Sequence, residues 1–102
     1  MSHYCGWTFY NLNLNLVKKS LLKFKGKHDF NAFRSSECQA SSSVRTISKI
    51  SVKQHKNYFL FTFVADAFLQ HQVRNMMGTI IKVGCGAIDA DHIDYLLLQN
   101  DR

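Results

Sequence analysis

The residues best suited to chemistry in this 102-residue chain lie in one run, FLQHQVRNMMG, at residues 68–78. Two glutamines, His71, Arg74 and Asn75 place many hydrogen-bonding groups in the first turns of an otherwise apolar helical segment. Arg74 lies at the flank of the apolar stripe, from which a guanidinium can reach into a cleft and hold a carboxylate or a phosphate. The alternative is an arginine whose stem covers apolar surface while its head stays in water. The pattern alone favours this second role.

Two other pairs of neighbouring residues contain groups that can act in catalysis. His28 and Asp29 could be a base and its orienting carboxylate, and Cys38 next to Glu37 could be a nucleophile. Residues adjacent in sequence rarely face each other productively, so a capping or packing role is favoured for the first pair. A surface thiol is favoured for Cys38. The sequence contains no phosphate-binding loop, zinc motif or Ser-His-Asp set.

The charge balance of the chain points to a class of partner. Thirteen Lys and Arg residues against seven Asp and Glu residues give a formal net charge of +6. A basic surface attracts polyanions, so RNA or DNA is the first partner class to expect and an anionic membrane the second. A hydrophobic fraction of 46% and a charged fraction of 20% are typical of a folded globular protein. The length predicts one domain over residues 1–102.

The cysteine pattern bears on metal binding and on the cellular compartment. Cys5, Cys38 and Cys85 are widely spaced and form no CxxC pair. This spacing predicts neither a zinc site nor a disulfide framework, so free thiols in a reducing cytoplasm are expected. The sequence also contains no apolar run long enough to span a bilayer and no signal-peptide pattern at its start. A soluble, cytoplasmic protein without a membrane partner is therefore expected.

The first elements that would position residues 68–78 follow from hydrophobic periodicity. Apolar residues at helical spacing predict a helix over residues 14–25, with Asn13 as its N-cap and Gly26 as its stop. The segment HDFNAFR, at residues 28–34, predicts a short helical turn that buries its two phenylalanines. A Ser-rich stretch then predicts a loop.

The middle of the chain has the alternation of a hairpin. Residues 44–53 alternate in polarity, and residues 58–67 are aromatic and β-branched with three phenylalanines and Ala65 on one face, which predicts two strands joined by a short polar connection. We expect an antiparallel pair in which Ile50 and Val52 lie in register with the phenylalanines of the second strand. Helical spacing returns over residues 69–83, and this helix is expected to pack across the sheet.

The order helix, strand, strand, helix, helix predicts an α+β fold, with an antiparallel sheet and helices on one of its faces. Asp89 is expected to cap the last helix. Residues 4–10 form an extended aromatic segment for which the pattern shows no partner strand, and no further element follows the last helix. Both ends of the chain therefore resemble surfaces at which a larger domain has been cut.

Three strings occur in a fixed order: GKHDFNAFRSSECQ from Gly26, VRTI from Val44, and FLQHQVRNMMGTIIKVG from Phe68. This order resembles the tRNA pseudouridine synthase A family, in which a G-x-HDF-x-AFR segment precedes an R-T-I strand and an F-L-x-H-x-V-R-N-x-x-G helix. The start of the first helix also matches, with Asn13 where the family usually has an aspartate. The resemblance covers nearly the whole chain.

The resemblance implies an enzyme that isomerises uridine to pseudouridine in the anticodon stem-loop of tRNA, without a metal or an organic cofactor. In that family, an aspartate in an R-T-D-A-G-V-H-A segment acts on the uridine, a tyrosine packs on the base, and the arginine of the V-R-N helix holds the aspartate. The uridine must be flipped out, since its target atom is buried in the base stack. Arg74 matches the family arginine, and Asn75 and His71 are weaker substrate-binding candidates. The resemblance also implies tRNA as partner and a homodimer for the intact enzyme.

The chain departs from the family pattern by omission. The R-T-D-A-G segment does not occur, because Arg45 and Thr46 are followed by Ile47 and belong to the strand motif. The family tyrosine and final strand are also absent. We therefore expect a partial domain of the pseudouridine synthase fold that is inactive alone, with another chain as a possible source of the missing N-terminal part.

Two alternatives stay open at this stage. One is a non-catalytic RNA-binding module, and the other is an inert remnant of a split gene whose exposed apolar edges promote dimerisation or aggregation. If the chain were active alone, its nucleophile would have to be sought among Asp29, Asp66 and Asp89.

Overall fold

The computed structural model describes residues 2–9, 11–35 and 41–98, which form four strands, three α-helices and one 3-10 turn. In chain order these are β1 (Ser2–Phe9), α1 (Leu14–Phe24), β2 (Gly26–Asp29), the 3-10 turn (Asn31–Phe33), β3 (Val44–His55), β4 (Tyr58–Ala65), α2 (Gln72–Gly84) and α3 (Asp91–Leu97). The strands pair antiparallel throughout, and the predicted α+β class is confirmed.

The four strands form one sheet in the order β1-β4-β3-β2. β1 pairs with β4 from Ser2, opposite Ala65, to Phe9, opposite Tyr58. The expectation that the N-terminal aromatic segment has no partner strand was therefore wrong, although Tyr10, its last predicted residue, lies outside the described residues. A short aromatic segment has no period that identifies a partner far away in the sequence, so the alternation could not reveal this pairing.

β3 and β4 form the hairpin that the alternation predicts. Ile50 and Val52 lie opposite Phe63 and Phe61, respectively, which confirms the predicted register. The turn begins with Lys56, whose φ of 57° is left-handed. Positive φ in a two-residue connection matches the right-handed twist of the flanking strands, so the short polar linker suffices to reverse the chain.

A β-bulge in β3 changes which residues face the core. The register with β4 shifts between Ile47 and Lys49, so Ser48 is the extra residue. Ile47 is consequently buried, although simple alternation placed it on the face opposite to Ile50. The hydroxyl of Ser48 donates to the carbonyl of Val64 at 3.2 Å and holds the bulge in place. One additional residue inverts the phase of the alternation, which the sequence pattern does not show.

α1 begins and ends close to its predicted bounds. The side-chain oxygen of Asn13 accepts the backbone N–H groups of Asn15 and Leu16 at 2.9 and 3.2 Å, so the predicted N-cap is confirmed. Gly26 has a φ of 101°, which glycine adopts without the steric penalty of a Cβ atom. The chain leaves the helix there and turns directly into β2.

The helical turn predicted over residues 28–34 was wrong in its first part. His28 and Asp29 belong to β2 and pair with β3. The 3-10 turn forms only afterwards, and Phe30 and Phe33 are buried as expected. β2 is a short edge strand of mainly polar residues, so it has none of the apolar alternation by which a strand is recognised.

The last two helices begin later than their apolar residues predict. α2 begins at Gln72, because His71 has a left-handed φ of 62° and cannot be part of a right-handed helix. The expectation that Asp89 caps α3 was wrong, since Ala90 is the N-cap residue and makes no side-chain cap. The backbone carbonyl of Asp89 instead accepts the N–H of His92 at 3.1 Å, so the chain enters α3 through a tightened turn.

A phenylalanine-rich core lies between the sheet and the helices. Phe61 and Phe63 of β4 are fully buried, and the helices add apolar residues to the same cluster: Val17, Leu21, Phe24, Met76, Ile80, Val83, Ile93 and Leu97. At the surface, the ammonium of Lys23 on α1 lies 2.7 Å from the Asp94 carboxylate on α3. None of the described helices is long and apolar enough to cross a membrane.

Candidate active site

The connection from β4 to α2 is fixed by the Asp66 carboxylate. Its Oδ1 atom accepts the backbone N–H groups of Thr46 at 3.0 Å and Ala67 at 2.9 Å, and its own N–H donates to the Thr46 carbonyl. The pKa of Asp66 lies below its ordinary value, mainly because the Thr46 N–H donates to the charged form, with further contributions from Ala67 and the positive charge of Arg45. The carboxylate therefore ties the end of the hairpin to the segment that leads to Arg74.

The first turn of α2 is anchored by a buried glutamine. The side-chain oxygen of Gln72 accepts the N–H of Leu69 at 2.9 Å, and its amide nitrogen lies 3.5 Å from the sulfur of Met76. Gln72 is fully buried, and His71 before it makes no side-chain cap. We did not single out Gln72 for this role from the sequence. Its position four residues before Met76, on the apolar stripe, was the signal that could have identified it.

Arg74 lies in this anchored first turn and is exposed to solvent. Among the described residues, no hydrogen bond or ion pair engages its guanidinium. Arg45 contrasts with it, since one of its terminal nitrogens donates to the carbonyls of Ser42 and Val44 at 2.9 and 2.8 Å. Arg74 is therefore free to bind an anionic group that approaches the start of α2.

Asn75 and His71 differ in how they are used. The amide nitrogen of Asn75 donates to the backbone carbonyl of Phe33 at 2.8 Å, so this side chain links α2 to the 3-10 turn. His71 is exposed, and its backbone carbonyl accepts the Asn75 N–H at 3.0 Å. The structure thus brings His71, Arg74 and Asn75 together at one end of α2, with the imidazole and the guanidinium open to solvent.

The other candidate pairs make local contacts. His28 Nε2 lies 2.9 Å from the carbonyl of Lys25. Asp29 accepts the N–H of Asn31 at 3.0 Å and a short hydrogen bond from the Ser43 hydroxyl. These bonds are local structural contacts, although Phe30, the N-cap residue of the 3-10 turn that follows, makes no side-chain cap; a capping or packing role was favoured from the sequence. The pair Glu37 and Cys38 lies outside the described residues. Across residues 2–9, 11–35 and 41–98, no cluster of three or more His, Cys, Asp or Glu side chains could hold a metal ion.

Comparison with known proteins places these residues in a family. A family model described as tRNA pseudouridine synthase matches residues 21–102, which include β2, β3, β4 and the whole of α2. The chain belongs to the tRNA pseudouridine synthase family. The resemblance seen in the three sequence strings is thereby confirmed.

Individual members of the pseudouridine synthase family are similar over nearly the whole chain. It is 43% identical over 97 residues to tRNA pseudouridine synthase A of Dechloromonas aromatica and 41% identical over 97 residues to that of Nitrosomonas eutropha. Each match covers 95% of this chain, but only 37% and 35% of the respective relative. The protein of Methylobacillus flagellatus is 40% identical over 102 residues, which are 39% of its length. The chain thus spans a little over a third of the length of the curated relatives it matches.

Proposed function

We propose that this chain provides the arginine-bearing part of a tRNA pseudouridine synthase, and that a second polypeptide provides the catalytic aspartate. The reaction would be the isomerisation of uridine to pseudouridine in the anticodon stem-loop of tRNA. The observation that supports this proposal is the exposed Arg74 guanidinium, which lies on an anchored helical turn and has no partner among the described residues. Its V-R-N context matches the family helix.

The geometry of a guanidinium suits this role. Arg offers two parallel N–H donors that hold a carboxylate in one orientation, whereas Lys offers a single ammonium on a flexible stem. An aspartate that acts on the flipped-out uridine needs such a fixed orientation, because small displacements of reacting groups reduce the rate strongly. Arg74 would hold the aspartate. His71, the residue just before α2, would contact the nucleotide.

The chain's own aspartates are poorly placed to replace the catalytic aspartate of the second polypeptide. Asp29 and Asp66 are both engaged by backbone N–H groups, as described above. Asp89 lies beyond the C-terminal end of α2, and that end, Gly84, is about 15 Å along the helix axis from Arg74 at the standard rise per residue. None of these three carboxylates is both free and near the start of α2, which supports a nucleophile supplied by the second polypeptide.

Reconstitution tests this proposal. We define the complement as the remainder of the Nitrosomonas eutropha relative, before and after the segment matched by this chain, and the reconstituted enzyme as the complement together with this chain. We expect neither part alone to form pseudouridine in unmodified tRNA, and the two together to do so at the anticodon arm, by chemical mapping. A complement whose family aspartate is replaced by asparagine is the matched control and should give no product.

The outcomes of this experiment separate the alternatives. Product from the chain alone would contradict the proposal and require a nucleophile within these 102 residues. RNA binding without product from the mixture would favour a binding module. One observation favours that role: Lys18 and Lys25 line a groove of about 310 Å³ between α1 and β3, and none of its described lining residues is acidic. The absence of both RNA binding and product would favour an inert remnant.

The same proposal covers assembly and location. Residues 1–102 would form one partial domain that joins the complement, and the joined enzyme would form a homodimer, as the resemblance implies. tRNA is the proposed partner, and no cofactor is required. The enzyme would act in the cytoplasm, the compartment that the cysteine spacing predicts.

A further inference from the structure

We propose that Asn75 is a positioning residue, whose side-chain amide holds the turn that presents Arg74. The amide nitrogen of Asn75 donates to the Phe33 carbonyl at 2.8 Å, across 42 positions of sequence. Beside this bond, the backbone N–H of Ser35 donates to the Gln70 carbonyl at 2.9 Å. We call these two hydrogen bonds the clasp. The first bond joins the 3-10 turn to the first turn of α2. The second joins the residues that follow the 3-10 turn to the segment just before α2.

The clasp matters because Arg74 has no partner of its own. Its guanidinium makes no hydrogen bond or ion pair with the described residues, so the region that it can reach depends on the position of the backbone that carries it. That backbone belongs to a first turn without a side-chain cap, since His71 is left-handed and makes none. Without a cap, the first turn depends on other contacts to resist fraying, and Gln72 provides one of them from the core. A side-chain hydrogen bond from Asn75, the residue next to Arg74, opposes this fraying directly.

Asn75 is the member of the clasp that a substitution can remove. The bond between Ser35 and Gln70 joins two backbone groups, so side-chain replacement leaves both atoms present. The Asn75 bond uses a side-chain donor and a backbone acceptor, and Asn75→Ala deletes the donor alone. Asn75→Asp keeps the shape but turns a carboxylate oxygen toward the Phe33 carbonyl, and it should disturb the clasp more than alanine does.

A first experiment needs no enzymatic activity. Amide hydrogen exchange of Ser35 reports opening of the clasp in the 102-residue chain. We expect Asn75→Ala to accelerate this exchange about tenfold, the order of effect of one net hydrogen bond. Thr79→Ala is the control, because the Thr79 hydroxyl donates at 3.2 Å to the carbonyl of Asn75 within the same helix. Unchanged Ser35 exchange in Asn75→Ala, or equal acceleration in both variants, would show that the Asn75 side chain does not hold this turn.

A second experiment tests whether Asn75 acts through Arg74, and it rests on the proposed function. In the reconstituted enzyme, Asn75→Ala should lower kcat about tenfold and change KM less than twofold. In an Arg74→Lys background the same substitution should lower kcat less than twofold, because the group that it positions is already lost. A full tenfold loss in both backgrounds would show that Asn75 acts independently and would overturn the inference. If the unaltered reconstituted enzyme has no activity, the proposed function fails. The exchange experiment alone then tests whether Asn75 holds the first turn of α2.

Discussion

Replacement of Arg74 by lysine is expected to lower the turnover of the reconstituted enzyme by roughly a hundredfold, a loss of about 3 kcal/mol of transition-state stabilisation. Lysine keeps the positive charge but loses the bidentate fork, so the carboxylate of the catalytic aspartate would no longer be held in one orientation. The affinity for tRNA should change much less, because many of the 13 Lys and Arg residues can share the phosphate contacts. Single-turnover rates and equilibrium binding to the same tRNA measure the two quantities separately.

Lys82→Ala is a suitable control for this experiment. Lys82 is an exposed cation in the last turn of the same helix, at the opposite end from Arg74. Its loss should leave turnover unchanged and weaken binding slightly at low salt. An Arg74→Lys variant that loses affinity and turnover in equal measure would make Arg74 a general phosphate contact. Unaltered turnover would remove Arg74 from the active site.

Gly84→Ala is expected to destabilise the chain by about 1–3 kcal/mol, the range seen when a core has no room for an added methyl group. A Cβ atom at Gly84 would lie 2.8 Å from a methyl carbon of Val17 and 3.1 Å from one of Leu12. Val17 is completely buried on α1, so it cannot move aside cheaply. The close approach of α1 and α2 at this glycine helps to hold the helix that bears Arg74.

Gly78→Ala is the matched control within the same helix. A Cβ atom at Gly78 would have no neighbour within 4 Å among the residues that the structure describes, so the substitution should only add helix propensity and stabilise by about 0.5–1 kcal/mol. Urea unfolding of the 102-residue chain gives the free energy of unfolding for both variants. A Gly84→Ala variant as stable as the unaltered chain would show that α1 and α2 can separate at this point without loss.

Strongly periodic segments could be predicted from the sequence because burial on one face imposes the period. The α1 stripe with its Asn13 cap and the register of Ile50 and Val52 are of this kind. Features set by distant or local backbone geometry could not be predicted. The pairing of β1 with β4 depends on a remote partner, the bulge at Ser48 interrupts the alternation, and the left-handed His71 delays α2.

The residues of the candidate site could be predicted from the sequence, but their contacts could not. The residue types in the run at 68–78, together with the family strings, sufficed to single out Arg74, His71 and Asn75. The sequence could not show that the Asn75 amide is occupied by the Phe33 carbonyl, because that contact depends on how the 3-10 turn packs against α2. Nor could it show that Gln72 anchors the turn from inside the core.

The distance between the Arg74 guanidinium and the carboxylate of the complement's catalytic aspartate tests the central claim most directly. A crystal structure of the reconstituted enzyme would give it. We expect two roughly parallel N–H···O contacts, with nitrogen–oxygen distances of about 2.8 Å, between Arg74 and that carboxylate. An Arg74 side chain that points into solvent, with the aspartate held by a different residue, would contradict the account.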